Sequence, residues 1–131
     1  MEKKLAHLGM MQGVINRLSH NSFLLKGWSI VLVSAMFALS AKDANPIFIY
    51  LAYFPAIMFW GLDAYFLWQE RLFRSLYGQI SGFDEENIDF SMNTKPVEKK
   101  TKGIISSFFS LTILGFHGVI VISIILVMIF L

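Results

Sequence analysis

From Ile104 to Leu131 the chain runs for 28 residues without an Asp, Glu, Lys or Arg. About 20 predominantly apolar residues cross a hydrocarbon core, so this run is long enough to span a membrane. A second run, Pro46–Trp68, has 23 residues and a single charge, Asp63. A third, Gly27–Ala41, holds fifteen uncharged residues; extending it back through Phe23, Leu24 and Leu25 gives nineteen with Lys26 included, and Lys26 can reach the headgroups along its own stem. Only 15% of the 131 residues are charged, where a soluble domain carries about 25%. The sequence therefore predicts an all-α integral membrane protein. It should have three transmembrane helices, the first short, and helical cytoplasmic extensions.

The first span also invites a secretory-signal reading, because "ALSA" at 38–41 suits a signal peptidase. Some 26 residues precede the apolar core, far more than an ordinary charged leader, and this favours a retained span. Basic residues set the orientation. Lys3, Lys4, Arg17 and Lys26 precede the first span, and Arg71, Arg74, Lys95, Lys99, Lys100 and Lys102 follow the second. Only Lys42 lies in the short connection between them. The positive-inside rule then places the N-terminus in the cytoplasm and Leu131 outside, as in a bacterial inner membrane. A net charge of +2 gives no reason to expect nucleic acid, and a chain without cysteine says nothing of redox compartment.

Local signals divide the chain further. Asn45 is a candidate N-cap with Pro46 at the first helical position. Pro55 should kink the second span, which continues past Trp68 through Leu72, Leu76 and Ile80 until "SG" at 81–82 stops it. Before the first span, Leu8, Met11, Ile15, Leu18, Ser22 and Leu25 form one helical stripe. Residues 1–26 are thus an amphipathic cytoplasmic helix, either continuous with the span at 27–41 or lying on the membrane surface. Residues 81–103, acidic in the first half and basic in the second, read as a solvated connector whose basic end meets anionic lipid, with a docking segment as the alternative. They lack the ligand register of a calcium loop.

Chemistry is sparse. There is no cysteine, no phosphate-cradling glycine loop and no paired metal-ligand spacing, so neither an enzyme nor a bound cofactor or metal is expected. Two polar residues inside spans carry more weight. A charged Asp at depth costs about 2.5–3.5 kcal/mol on insertion scales, so Asp63 should meet a partner or water. His117, between Gly115 and Gly118, falls at a similar depth from the same side, so the two are candidates for pairing. Ser34 and Tyr53 are further candidates to line a polar path. Ser34 with Ala38, and Ser106 with Ser110, have the small-residue spacing that lets helices approach in lipid, which suggests a homo-oligomer. Arg17, His20, Lys26, Arg71 and Arg74 are candidates for contact with a cytoplasmic signalling protein or a small anionic ligand.

The segments "MMQGVINRLSHNSFLLKGWSI", "FWGLDAYFLWQERLFRSLYGQI" and "DFSMNT" resemble small bacterial membrane proteins encoded in anti-phage defence operons. The resemblance covers roughly the first 95 residues. It implies a membrane effector that disturbs the envelope or its potential when a partner or small signal triggers it. Two functions are therefore expected to compete: an oligomeric, channel-like effector (a holin-like lysis protein being a variant), and a non-conducting anchor for a soluble partner.

Overall fold

The computed structural model describes residues 2–43, 45–99, 101 and 103–130. Helix α1, Glu2–Asp43, is one uninterrupted helix of 42 residues. At 1.5 Å per residue it is about 60 Å long, twice the thickness of a hydrocarbon core. The cytoplasmic stripe and the first span therefore belong to one rod, and Gly13 and Gly27 do not interrupt it. Helix α2, Ile47–Ser81, returns alongside α1 as the second arm of a long hairpin. Asn45 shapes the turn: its Oδ1 accepts the Ile47 amide at 3.1 Å, and its carbonyl accepts the Ser40 hydroxyl at 3.1 Å. Pro55 is buried within α2, and the helix ends at the expected "SG".

The last apolar run differs from the expected single helix. It divides into α4, Ile104–Phe108, and α5, Leu111–Phe130. Local serine chemistry makes the break. Ser107 bonds back to the Gly103 carbonyl at 3.2 Å, while the Ser110 hydroxyl accepts the Ile113 amide at 3.3 Å and so caps the new helix. Twenty residues remain in α5, about 30 Å and one membrane thickness. Three helices, α1, α2 and α5, are long and apolar enough to cross a membrane.

The expectation for 81–103 as a solvated connector needs correction. Its charged residues alternate with apolar ones, and Phe83, Ile88, Met92 and Val97 pack on Met11, Leu76 and Ile80 at the hairpin tip. A 3-10 turn at Glu85–Asn87 and a short helix α3, Lys95–Glu98, shape this segment. Glu85 closes the start of α1, taking the Lys3 amide at 2.7 Å and the Lys4 amide at 3.1 Å, two donors that the helix itself leaves open. His7 is fully buried, with Nε2 2.8 Å from the Ser91 carbonyl and its ring against Phe90. Phe90 sits at φ 57°, the left-handed region that an aromatic residue seldom enters. The loop is a clasp across the end of the hairpin. Lys100, Lys102 and the expected outer end Leu131 lie outside the described residues.

A second core lies towards the other end of the hairpin. Val33, Ile49, Ala52, Ala56, Ile120 and Ile124 pack between α1, α2 and α5. The alanines on α2 are the small residues that allow close helix approach. Ser34, Ala38 and Ser106 are instead exposed, and Ser110 serves as a cap, so the small-residue pairs do not pack within the chain. The reason is register. The face of α1 turned inward runs His7, Met11, Ile15, Ser29, Val33 and Ser40, and Ser34 points about 100° away from Val33.

Candidate functional site

Between the two cores, α1, α2 and α5 converge on one carboxylate. Asp63 of α2 has no exposed surface. Its Oδ1 accepts the Ser22 hydroxyl of α1. Its Oδ2 lies 2.7 Å from the Lys26 ammonium of α1 and 2.8 Å from His117 Nε2 of α5. Lys26 also donates to Ser22 Oγ at 2.9 Å, which closes a ring of polar contacts. The α-helical period explains the convergence. Ser22 and Lys26 are four residues apart on one face of α1, so both reach a single residue on the facing helix.

The environment around this ring is aromatic. The Lys26 ammonium stands 5.8 Å from the Phe116 ring centre, within range of a cation–π contact. Trp60, one turn along α2 from Asp63, stacks on both His117 and Phe108, with ring centres 6.1 and 4.6 Å away. Its indole N–H is bound to the Phe108 carbonyl at 3.0 Å, so it also holds the break between α4 and α5. His117 donates from Nε2 in the tautomer its carboxylate partner selects, and Nδ1 is then a buried acceptor without a partner among the described residues. One acid and one permanent base cancel, and the shared hydrogen bonds offset part of the cost of removing both from water.

The other residues expected to bear function are distributed differently. Arg71 donates to the buried Ser107 hydroxyl at 3.1 Å and ties α2 to α4. Arg74 pairs with Glu70 one turn back, at 2.8 Å. Arg17 and His20 are exposed on α1. Lys26 is occupied by Asp63, so the five expected contact residues form no single cluster. Tyr53 is half-buried and donates to the Met128 sulfur at 3.7 Å, while Ser34 faces outward. Tyr53, Ser34 and the Asp63 ring are not joined by hydrogen bonds, and the apolar core at Val33, Ala56 and Ile120 lies beside them.

The sequence alone suggests a headgroup or a cytoplasmic ligand or partner for Lys26 and gives no role to Ser107, Trp60, His7 or Glu85. The spacing of Ser22 and Lys26 opposite an intramembrane Asp was the available signal for the first. For Glu85 and His7 there was none, because a contact across more than 80 residues leaves no local pattern.

Fold and site together define a class: an all-helical chain, among its described residues, with three helices able to cross a membrane and a buried charged centre joining them. No protein-family model matches the chain, and the searches of curated proteins and of solved structures found no match either.

Proposed function

We propose that the chain is an oligomeric, channel-like effector of a bacterial inner membrane, with the N-terminus and the clasp in the cytoplasm. A cytoplasmic signal or partner acting on the α1–α2 hairpin triggers it. The resemblance of three of its segments to membrane proteins of anti-phage operons supplies the biological setting. The observation that carries the mechanism is the attachment of Asp63 to α1. Ser22 and Lys26 hold the carboxylate from a helix that continues without a break to the clasped tip. A rigid rod transmits displacement, so a partner that moves the tip must strain or break the contacts at Asp63. Release of Lys26 from Asp63 would expose charge inside the assembly and favour water entry, provided the partner binds the displaced arrangement more tightly.

At rest the apolar core around Ile49, Ala56 and Ile124 seals the single chain. That seal is also the observation favouring the second reading, a non-conducting anchor for a soluble partner. The deciding measurement is membrane depolarisation in cells that express the chain with its natural operon and receive the trigger. Two glycines inserted after Leu25 should abolish depolarisation while the variant still inserts into the membrane, because the rod is cut and Ser22 and Lys26 no longer share one face. Asp63→Asn should reduce it as well. Depolarisation by the glycine variant equal to that of the parent would make α1 a tether. Its absence in the triggered parent would establish the anchor.

A further inference from the structure

Beside the charged centre an open groove of about 350 Å³ lies where α1, α2 and α5 meet. Its polar lining is Ser19, Ser22, Lys26, Glu70 and Thr112, with Ser22 already committed to Asp63 and Lys26, and Phe23 and Leu67 form apolar walls. Three features describe its chemistry. Lys26 spends two N–H groups on Asp63 and Ser22, and the part of its side chain that remains exposed, 18%, belongs to this groove. The Ser19 and Thr112 hydroxyls have no partner among the described residues. Glu70 receives both hydrogen bonds of Arg74 on Oε1, at 3.2 and 2.8 Å, which leaves Oε2 unused. The groove thus offers hydrogen-bond donors and an ammonium at one level and a carboxylate oxygen at another.

The order of these groups along the membrane normal is set by the helices. Glu70 is seven residues beyond Asp63 on α2, about 10 Å further from the span's centre. Ser19 is one turn outside Ser22 on α1, about 4.5 Å. The donors therefore lie deeper than the carboxylate. Further into the span a second, apolar notch of about 240 Å³ follows along α1, lined by Phe23, Leu24, Gly27, Trp28 and Val31. Phe23 borders both cavities, so polar groove and apolar notch adjoin.

We infer that this groove is a specific site for a phospholipid whose headgroup carries a phosphate and a primary ammonium, the phosphoethanolamine class. The phosphate accepts from Lys26, Ser19 and Thr112. The ammonium, which lies outermost in such a headgroup, donates to Glu70 Oε2. The first part of an acyl chain fills the notch at Gly27, where the missing side chain opens the space. An anionic headgroup without an amine would leave Glu70 Oε2 without a donor, since Arg74 is held on Oε1, and set like charges near each other. A quaternary amine has no N–H for the carboxylate and is bulkier. The site rests on α1, α2 and α5 crossing a bilayer but not on conduction or on which side faces the cytoplasm.

The test is lipid retention. The full chain is reconstituted in nanodiscs of phosphatidylcholine with equal minor amounts of phosphatidylethanolamine and phosphatidylglycerol, then transferred to mild detergent for native mass spectrometry. Phosphatidylethanolamine should be retained several-fold more than its share in the disc. Glu70→Gln should remove the preference over phosphatidylcholine, and Ser19→Leu, which fills the groove, should reduce retention of both. Circular dichroism on each variant reports the fold. Retention in proportion to disc composition, or a preference for phosphatidylglycerol, would overturn the proposal. So would an unchanged preference in a folded Glu70→Gln variant. Depolarisation is measured separately, so failure here leaves the effector reading standing and the reverse also holds.

Discussion

Removing the Lys26 ammonium would leave Asp63 as an anion with no exposed surface and no permanent counter-charge. Breaking one side of a buried pair costs about 3–5 kcal/mol, much more than the pair itself contributes. Lys26→Met should therefore destabilise the bundle by roughly that amount in a reversible unfolding titration in mild and denaturing detergent. The double variant Lys26→Met with Asp63→Asn should recover a large part of the loss, since a neutral amide needs no counter-charge and can still bond Ser22 and His117. Equal stability of the two variants would mean that charge is not what Lys26 supplies. The same comparison separates a counter-ion role for Lys26 from snorkelling, in which Lys26→Met would be nearly silent. Snorkelling is what the sequence alone leads one to expect, and the physical reason it fails is proximity. A fully buried carboxylate 2.7 Å away offers the ammonium more than a headgroup can.

Two elements carry features that a helix pattern alone does not show. The start of α1 is closed in trans by Glu85, whose two oxygens take two of the amides that the first turn cannot pair. Glu85→Gln should speed amide hydrogen exchange at Lys3 and Lys4 while leaving exchange near Ser29 unchanged. Faster exchange along the whole rod would show that the clasp holds more than the first turn, and no change at Lys3 and Lys4 would dismiss the cap. The clasp itself reads as a polar loop by composition, yet apolar residues at 83, 88, 92 and 97 meet the tip core. At the far end of the chain, hydropathy made one helix of Ile104–Leu131, and a serine side chain divided it. Ser110 takes the Ile113 amide on its side chain and so competes with helix continuation, a choice the apolar average cannot register.

At the scale of the whole molecule the basic residues predict the way the hairpin faces. With ten of the eleven basic residues on one side, the N-terminus and the clasp should be cytoplasmic and the α1–α2 turn outside. The chain has no cysteine, so single cysteines can be introduced at will. One placed at Asn87 should react with a membrane-impermeant maleimide only after the membrane is opened, and one placed at Asn45 should react in intact cells. The reverse pattern would invert the topology and put the proposed trigger on the wrong side. Assembly is proposed on the exposed Ser34–Ala38 face of α1, whose small residues let a second helix approach closely.

Composition and local signals by themselves determined that the chain is helical, that three of its segments are long and apolar enough to cross a membrane, and where α2 ends, while its start falls one residue later than the expected Pro46, which serves as N-cap. These are one-dimensional properties: run length, proline and glycine placement, and the cost of charge in hydrocarbon. Helical spacing on α1 already held Leu8, Met11, Ile15 and Ser22 on the packed face, but it did not show that His7 and Lys26 turn in beside them. Only tertiary structure decided this, because in a spanning helix the apolar side chains face outward as readily as inward. The inward face is chosen by what the neighbouring helices offer. Trp28 and Phe23 are exposed while Ser29 is buried, the opposite of a soluble helix. Asp63 on α2 meets Ser22 and Lys26 of α1 and His117 of α5, so the register of both neighbouring helices brings a polar partner to a fully buried carboxylate.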